Sequence, residues 1–267
     1  MSPRVLIYCL LGGLPLTIAA LGAGNFWWWW LSGILLAAAF VPVAIYGPRQ
    51  VAAQFGVILP VLLIVSVLCI WSEALLFLPG ARQHALRDLI GGAVLYGISA
   101  TALAGLGWAL KLWRPSACTV TRRPIAGTVA MVLLCAFAYL VYYLIFGAIT
   151  YQFFTREYFP EAVRIVERLG PWFWVIQIGR GLLMTIAVVP VIFTLRMSRP
   201  GAAISVAILL WIAGGVAPLL VPNEVMGATQ RFIHIAEILT QNALLGITAV
   251  LLLQPRPAAL ASSAVVA

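Results

Sequence analysis

The chain has 267 residues, of which 64% are hydrophobic and only 9% charged, where a soluble domain carries about a quarter charged residues. No soluble core of this size hides so much apolar surface, and the apolar runs are too long and continuous for the alternating strands of a β-barrel, so the composition predicts an all-α, polytopic transmembrane helix bundle. The net charge of +9 comes from 15 Arg and 1 Lys dispersed over short loops against 7 acids, a pattern of membrane topology and contact with anionic headgroups rather than a nucleic-acid footprint.

Eight spans can be drawn in chain order, at 5–24, 28–46, 51–79, 88–112, 124–154, 171–196, 202–221 and 229–254. The first has the layout of a signal peptide, one Arg followed by an apolar run and small residues, but the run outlasts a normal signal core, so we read it as a span. NFWWWW (25–30) then places five aromatic rings in a row, an anchor suited to the headgroup level. The second span ends in AAFVPVAIYGPR (38–49) and the sixth in IAVVPVIFTLRMSR (186–199). A four-plus-four parallel repeat would put these two segments in matching positions. Pro15, Pro42, Pro60, Pro190 and Pro218 fall inside spans, where each removes a backbone hydrogen bond and can kink its helix. Between spans five and six, Phe159, Ala162, Val163, Val166 and Leu169 recur at helical spacing opposite Glu161, Arg164, Glu167 and Arg168, which predicts a short interfacial helix over about 159–169. No stretch is long and polar enough for a soluble domain. Residues 1–267 read as a single integral membrane domain, with function in the membrane or at its surfaces.

The four cysteines, Cys9, Cys69, Cys118 and Cys135, form no C-x-x-C pair. They read as small packing residues rather than a disulfide framework or thiolate metal site. With the amino end inside, the inner loops receive Arg4, Arg49, Lys111, Arg114, Arg122, Arg123, Arg196, Arg199 and Arg256, nine basic residues against six on the outer side. The positive-inside rule favours that arrangement, with both termini cytoplasmic in a bacterial cell (inner) membrane. All the acids, Glu224 among them, then fall on the outer loops or in the outer halves of spans.

The chemistry concentrates in RFIHIAEILTQN (231–242). At 100° per residue, Arg231, His234, Glu237, Gln241 and Asn242 form one continuous polar stripe, which cannot face hydrocarbon. Span six offers Gln177, Arg180, Gly181 and Met184 on one face. Arg180 lies roughly 14 Å and Glu237 roughly 12 Å below the outer ends of their helices. Matching depth predicts that these two charges pair, directly or through water, since an isolated charge at that depth is costly. Gly181 would let another helix approach closely. Span three adds Ser66, Cys69 and Glu73, and span five adds Tyr142, Tyr143, Thr150, Tyr151 and Gln152 toward the same end. For Tyr142 and Tyr143 packing is the expected role.

Together these residues predict a polar intramembrane site open to the outside. The binding or proton-coupling residues expected there are Arg180, Glu237, His234, Gln177, Glu73, Gln241, Asn242 and Arg231. The site reads as one that binds or translocates a small solute or lipid headgroup, with Arg180 meeting an anionic group and Glu237 or His234 carrying a proton. Two other readings stand beside it. One is a membrane-embedded enzyme using His234 and Glu237 as a general base. The other is a non-catalytic accessory subunit of a membrane complex. A zinc site on His234 and Glu237, three apart, would want a third ligand such as Glu73 or Glu224 and is a weaker signal than H-E-x-x-H, so neither a metal nor another cofactor is expected. The expected partners are membrane lipids, a small-molecule or lipid ligand and a membrane protein, with no nucleic acid.

Overall fold

The computed structural model describes residues 2–77, 81–120, 122–157, 159–223 and 226–254. Among them the protein is all helical, a polytopic bundle of eight helices long and apolar enough to cross a membrane, with one short helix between. We label them α1 (Pro3–Gly22), α2 (Phe26–Tyr46), α3 (Val51–Phe77), α4 (Arg82–Ala109), α5 (Ile125–Thr155), α6 (Ala162–Leu169), α7 (Pro171–Thr194), α8 (Arg199–Leu220) and α9 (Ala228–Leu253). The predicted spans and interfacial helix are all present with ends shifted by a few residues. Glu224 and Arg256 lie outside the described residues.

Turn chemistry sets the short connections. Gly24 and Asn25 both adopt positive φ, 68° and 61°, so the chain reverses between α1 and α2 in two residues that tolerate the left-handed region. Gly170 (φ 53°) does the same between α6 and α7, and Pro171 occupies the first turn of α7, where its missing N–H costs nothing. Isoleucine, leucine and phenylalanine side chains such as Ile125, Phe137 and Ile149 remain exposed along the helices, as lipid-facing positions require.

The three connections at the end where α1 begins, here the amino face, carry Arg49, Lys111, Arg114, Arg122, Arg123, Arg196 and Arg199. Every described acid lies toward the opposite, far face. The cations close helix ends. Arg123 donates to the Leu252 carbonyl, Arg199 to that of Leu251 and Arg122 to that of Phe193, while the backbone amides of Arg114 and Arg196 reach the carbonyls of Ile45 and Tyr46. The last carbonyls of a helix lack intrahelical donors and carry partial negative charge, so guanidinium groups there satisfy both needs.

The helices associate in one pattern, used twice. α1 packs on α2 and α3 on α4; likewise α5 packs on α7 and α8 on α9. α4 returns to α1 as α9 returns to α5, and the halves meet through α2 with α8 and α3 with α7. Sequence features follow the same repeat. Gly33 and Gly181 each stand nine residues before the Val-Pro-Val prolines, Pro42 and Pro190, and GISA (97–100) in α4 answers GITA (246–249) in α9. Gly33 abuts the Gly13 backbone of α1, and Gly181 abuts Ala136 and Tyr139 of α5. Both α3 and α8 also loosen into π-helical turns, at Leu62–Cys69 and Ile212–Val216, each beside a proline. Proline removes an N–H, and neighbours supply replacements: Ser66 donates to the Ala213 carbonyl at 2.9 Å, Ser32 to that of Ala217 at 2.6 Å and Asn242 to that of Leu210 at 3.0 Å.

Candidate functional site

Among the described residues Arg180 is the least exposed charged side chain, at 8%, on the buried face of α7. Its neighbour Gly181 allows the approach of α5: an added Cβ would stand 2.8 Å from the Tyr139 Cβ and 2.9 Å from the Ala136 carbonyl oxygen. That proximity brings the rings of Tyr139 and Tyr143 to 6.0 and 5.8 Å from the guanidinium carbon, within cation–π range. Arg180 donates through Nη2 to Glu73 Oε2 at 2.6 Å and through Nη1 to Gln177 Oε1 at 3.0 Å.

The carboxylate that Arg180 bonds directly is thus Glu73, which corrects the expectation of a direct pair with Glu237. Both glutamates line the same cavity as Arg180, but α3 packs directly on α7 while α9 packs chiefly on α5 and α8. Adjacency therefore assigns Glu73 to Arg180. Glu237 is held within its own helix instead. His234 Nδ1 lies 3.1 Å from Glu237 Oε2, and Gln241 Nε2 donates to Glu237 Oε1 at 3.0 Å. A carboxylate only accepts, so Nδ1 carries the proton of this bond, and a neutral imidazole then presents a bare lone pair at Nε2. Nε2 is buried without a hydrogen-bond partner.

Arg180, Glu73, His234, Glu237, Gln241 and Asn242 all line one cavity of about 600 Å³ at the far end of the bundle. Two of the expected site residues do not line it. Gln177 is fully buried behind Arg180, and Arg231, though 9% exposed, lies outside the lining. Asn242 spends its amide N–H on the opened turn of α8. Tyr142 packs α5 on α9 through a 2.8 Å bond with Thr248, whereas Tyr143, expected to pack, also forms wall.

The sequence reading missed most of the walls. Tyr139, Phe173 and Trp174 join Tyr143 along one side, with Phe173 edge-on to Trp174 at 5.6 Å and 6.1 Å from Tyr143. The i, i+4 spacing of Tyr139 and Tyr143 was the signal available. Helix α6 lies over the mouth. Ala162, Val163 and Val166 face the cavity, while Glu161 and Arg164 pair with each other at 3.2 Å on the exposed side. Just before it, Phe159 brings its ring within 5.8 Å of His234. No cluster of three potential metal ligands occurs among the described residues.

Comparison with protein-family models, with curated proteins and with solved structures finds no match.

Proposed function

We propose that the protein binds a small amphiphilic solute or lipid headgroup in this cavity, from the outer side of a bacterial cell membrane with both termini cytoplasmic, and that binding is coupled to a proton on the His234–Glu237 pair. One observation carries the reading: ionisable side chains from α3, α7 and α9 converge on the floor of a single cavity whose walls are aromatic and aliphatic. Intramembrane charges are expensive and mark ligand or ion routes, and a volume of this size suits a drug-sized ligand. Arg180 bonds Glu73 of α3 and Gln177 of its own helix, which ties α3 to α7, while its Nε keeps no partner. The His234–Glu237 pair, with Nε2 unoccupied, is the group left for ligand and proton.

A second reading, a membrane-embedded enzyme, rests on the same free Nε2, since a carboxylate-oriented imidazole is the arrangement of a general base.

Thermal unfolding of the purified protein against a panel of amphiphiles and polar solutes tests the binding role. A ligand that raises the unfolding temperature of the natural protein, but not of a folded Glu237→Gln variant, is the expected result. A panel without any such shift would refute it.

A further inference from the structure

The polar atoms left over at the cavity floor define what the ligand must be. The donors of the floor each hold a partner already: the terminal nitrogens of Arg180 bond Gln177 and Glu73, the Gln241 amide bonds Glu237 and the Asn242 amide the Leu210 carbonyl, with the buried Arg180 Nε left unbonded. The acceptors keep more spare capacity. Among the described residues Glu73 Oε1 receives no hydrogen bond, His234 Nε2 has no partner, and each Glu237 oxygen takes one bond where it has room for two. The charge balance runs the same way. Glu73, Glu237 and Glu167 face the cavity against the single guanidinium of Arg180. An anionic headgroup would meet three carboxylates and a guanidinium already paired with Glu73, which argues against Arg180 receiving an anion.

The walls add a third constraint. Tyr143, Phe173, Trp174 and Phe159 bring aromatic rings to the cavity, and Tyr139 and Tyr143 already flank one cation, that of Arg180. Aromatic faces attract cations most strongly where water is excluded. Beyond them the lining is aliphatic, through Val163, Val166 and Leu144, so it suits a hydrocarbon chain rather than a sugar.

Resting on the reading that this cavity is a binding site, we propose that its ligand is a cationic amphiphile, an ammonium group with an N–H donor and an apolar tail. The ammonium sits between Glu237 and Glu73, beside the His234 ring, and the tail runs along the aromatic wall under α6. Such a molecule can come from water as a free amine or from the bilayer as a long-chain amine.

Binding of radiolabelled decylammonium to the full chain in lipid nanodiscs tests this, with decyl phosphate and decanol as competitors of equal chain length. We expect saturable binding that decyl phosphate and decanol displace at least tenfold less well than unlabelled decylammonium. Butylammonium separates the sources: competition close to that of decylammonium assigns the ligand to water, and competition at least tenfold weaker assigns it to the bilayer. Glu237→Gln weakens binding at least tenfold, Glu237→Asp less, and Glu161→Gln, outside the cavity, leaves it unchanged. Val163→Trp fills the mouth without altering a charge and also weakens binding at least tenfold, which keeps the test open if Glu237→Gln fails to fold. Decyl phosphate or decanol competing as well as decylammonium, with both losing affinity on Val163→Trp, overturns the cationic ligand and leaves the binding site standing. Saturable binding that survives both Glu237→Gln and Val163→Trp overturns the placement in this cavity. Absence of saturable binding by decylammonium, with the amphiphile panel also silent, takes down both proposals together.

Discussion

Arg180 shows how far one buried charge constrains its surroundings. A guanidinium at this depth needs a counter-charge and hydrogen-bond acceptors, and Glu73 and Gln177 supply both. Removing Glu73 leaves the arginine uncompensated. Breaking a fully buried pair costs about 3–5 kcal/mol, but the Glu73 side chain is 35% exposed, so water screens part of the loss. Glu73→Ala should therefore lower stability by about 2 kcal/mol, seen as a lower unfolding temperature in detergent. A double-mutant cycle should give a coupling of about 1–3 kcal/mol for Arg180 with Glu73 and a smaller one for Arg180 with Glu237. The reverse ordering would mean that the ion pair described above is wrong. His234 belongs to the same scale. Its ring is fixed by Glu237 at Nδ1 and by Phe159 against its face, so one nitrogen is held while the other stays free.

At the scale of elements, close approach depends on two glycines in equivalent helices. An added Cβ at Gly33 meets the Gly13 backbone and one at Gly181 meets Ala136 and Tyr139. Backbone atoms cannot step aside, so Gly33→Ala and Gly181→Ala should each destabilise by about 1–3 kcal/mol. Gly181→Ala should also push Tyr139 off Arg180 and reduce ligand binding. Gly179→Ala is the control: nothing lies within 4 Å of its added Cβ, and alanine is a better helix former by about 1 kcal/mol. Destabilisation by Gly179→Ala equal to that by Gly181→Ala would remove the packing argument. The repeat also explains why the polar site occurs once. Where α7 carries Arg180 just before Gly181, α2 carries Ser32 just before Gly33, and Ser32 is fully buried and bonded to α8. The first half closes the place that the second half leaves open.

Over the whole molecule, charge is divided between two faces. The cations of the amino face cap helix ends, and every described acid lies toward the far face. Cys118 sits on the amino face and is the one exposed cysteine; Cys9, Cys69 and Cys135 are buried. If the amino face is cytoplasmic, a membrane-impermeant maleimide should label Cys118 only in broken cells or inverted vesicles, and Cys118→Ser should abolish the labelling. Labelling in intact cells would turn the protein over and place the cavity on the cytoplasmic side.

The sequence alone determined the membrane class, the eight spans and the amphipathic α6, because hydropathy and helical periodicity are local quantities. It also brought Glu73, Arg180, His234, Glu237 and Gln241 to one end of the bundle. It did not determine which carboxylate Arg180 would meet, that Tyr139, Phe173 and Trp174 would form a wall, or that α6 would lie over the mouth. Those depend on which helices are neighbours and how each is rotated. Depth along the membrane normal says nothing about position around the bundle, so only the tertiary packing of α3 on α7 could separate Glu73 from Glu237.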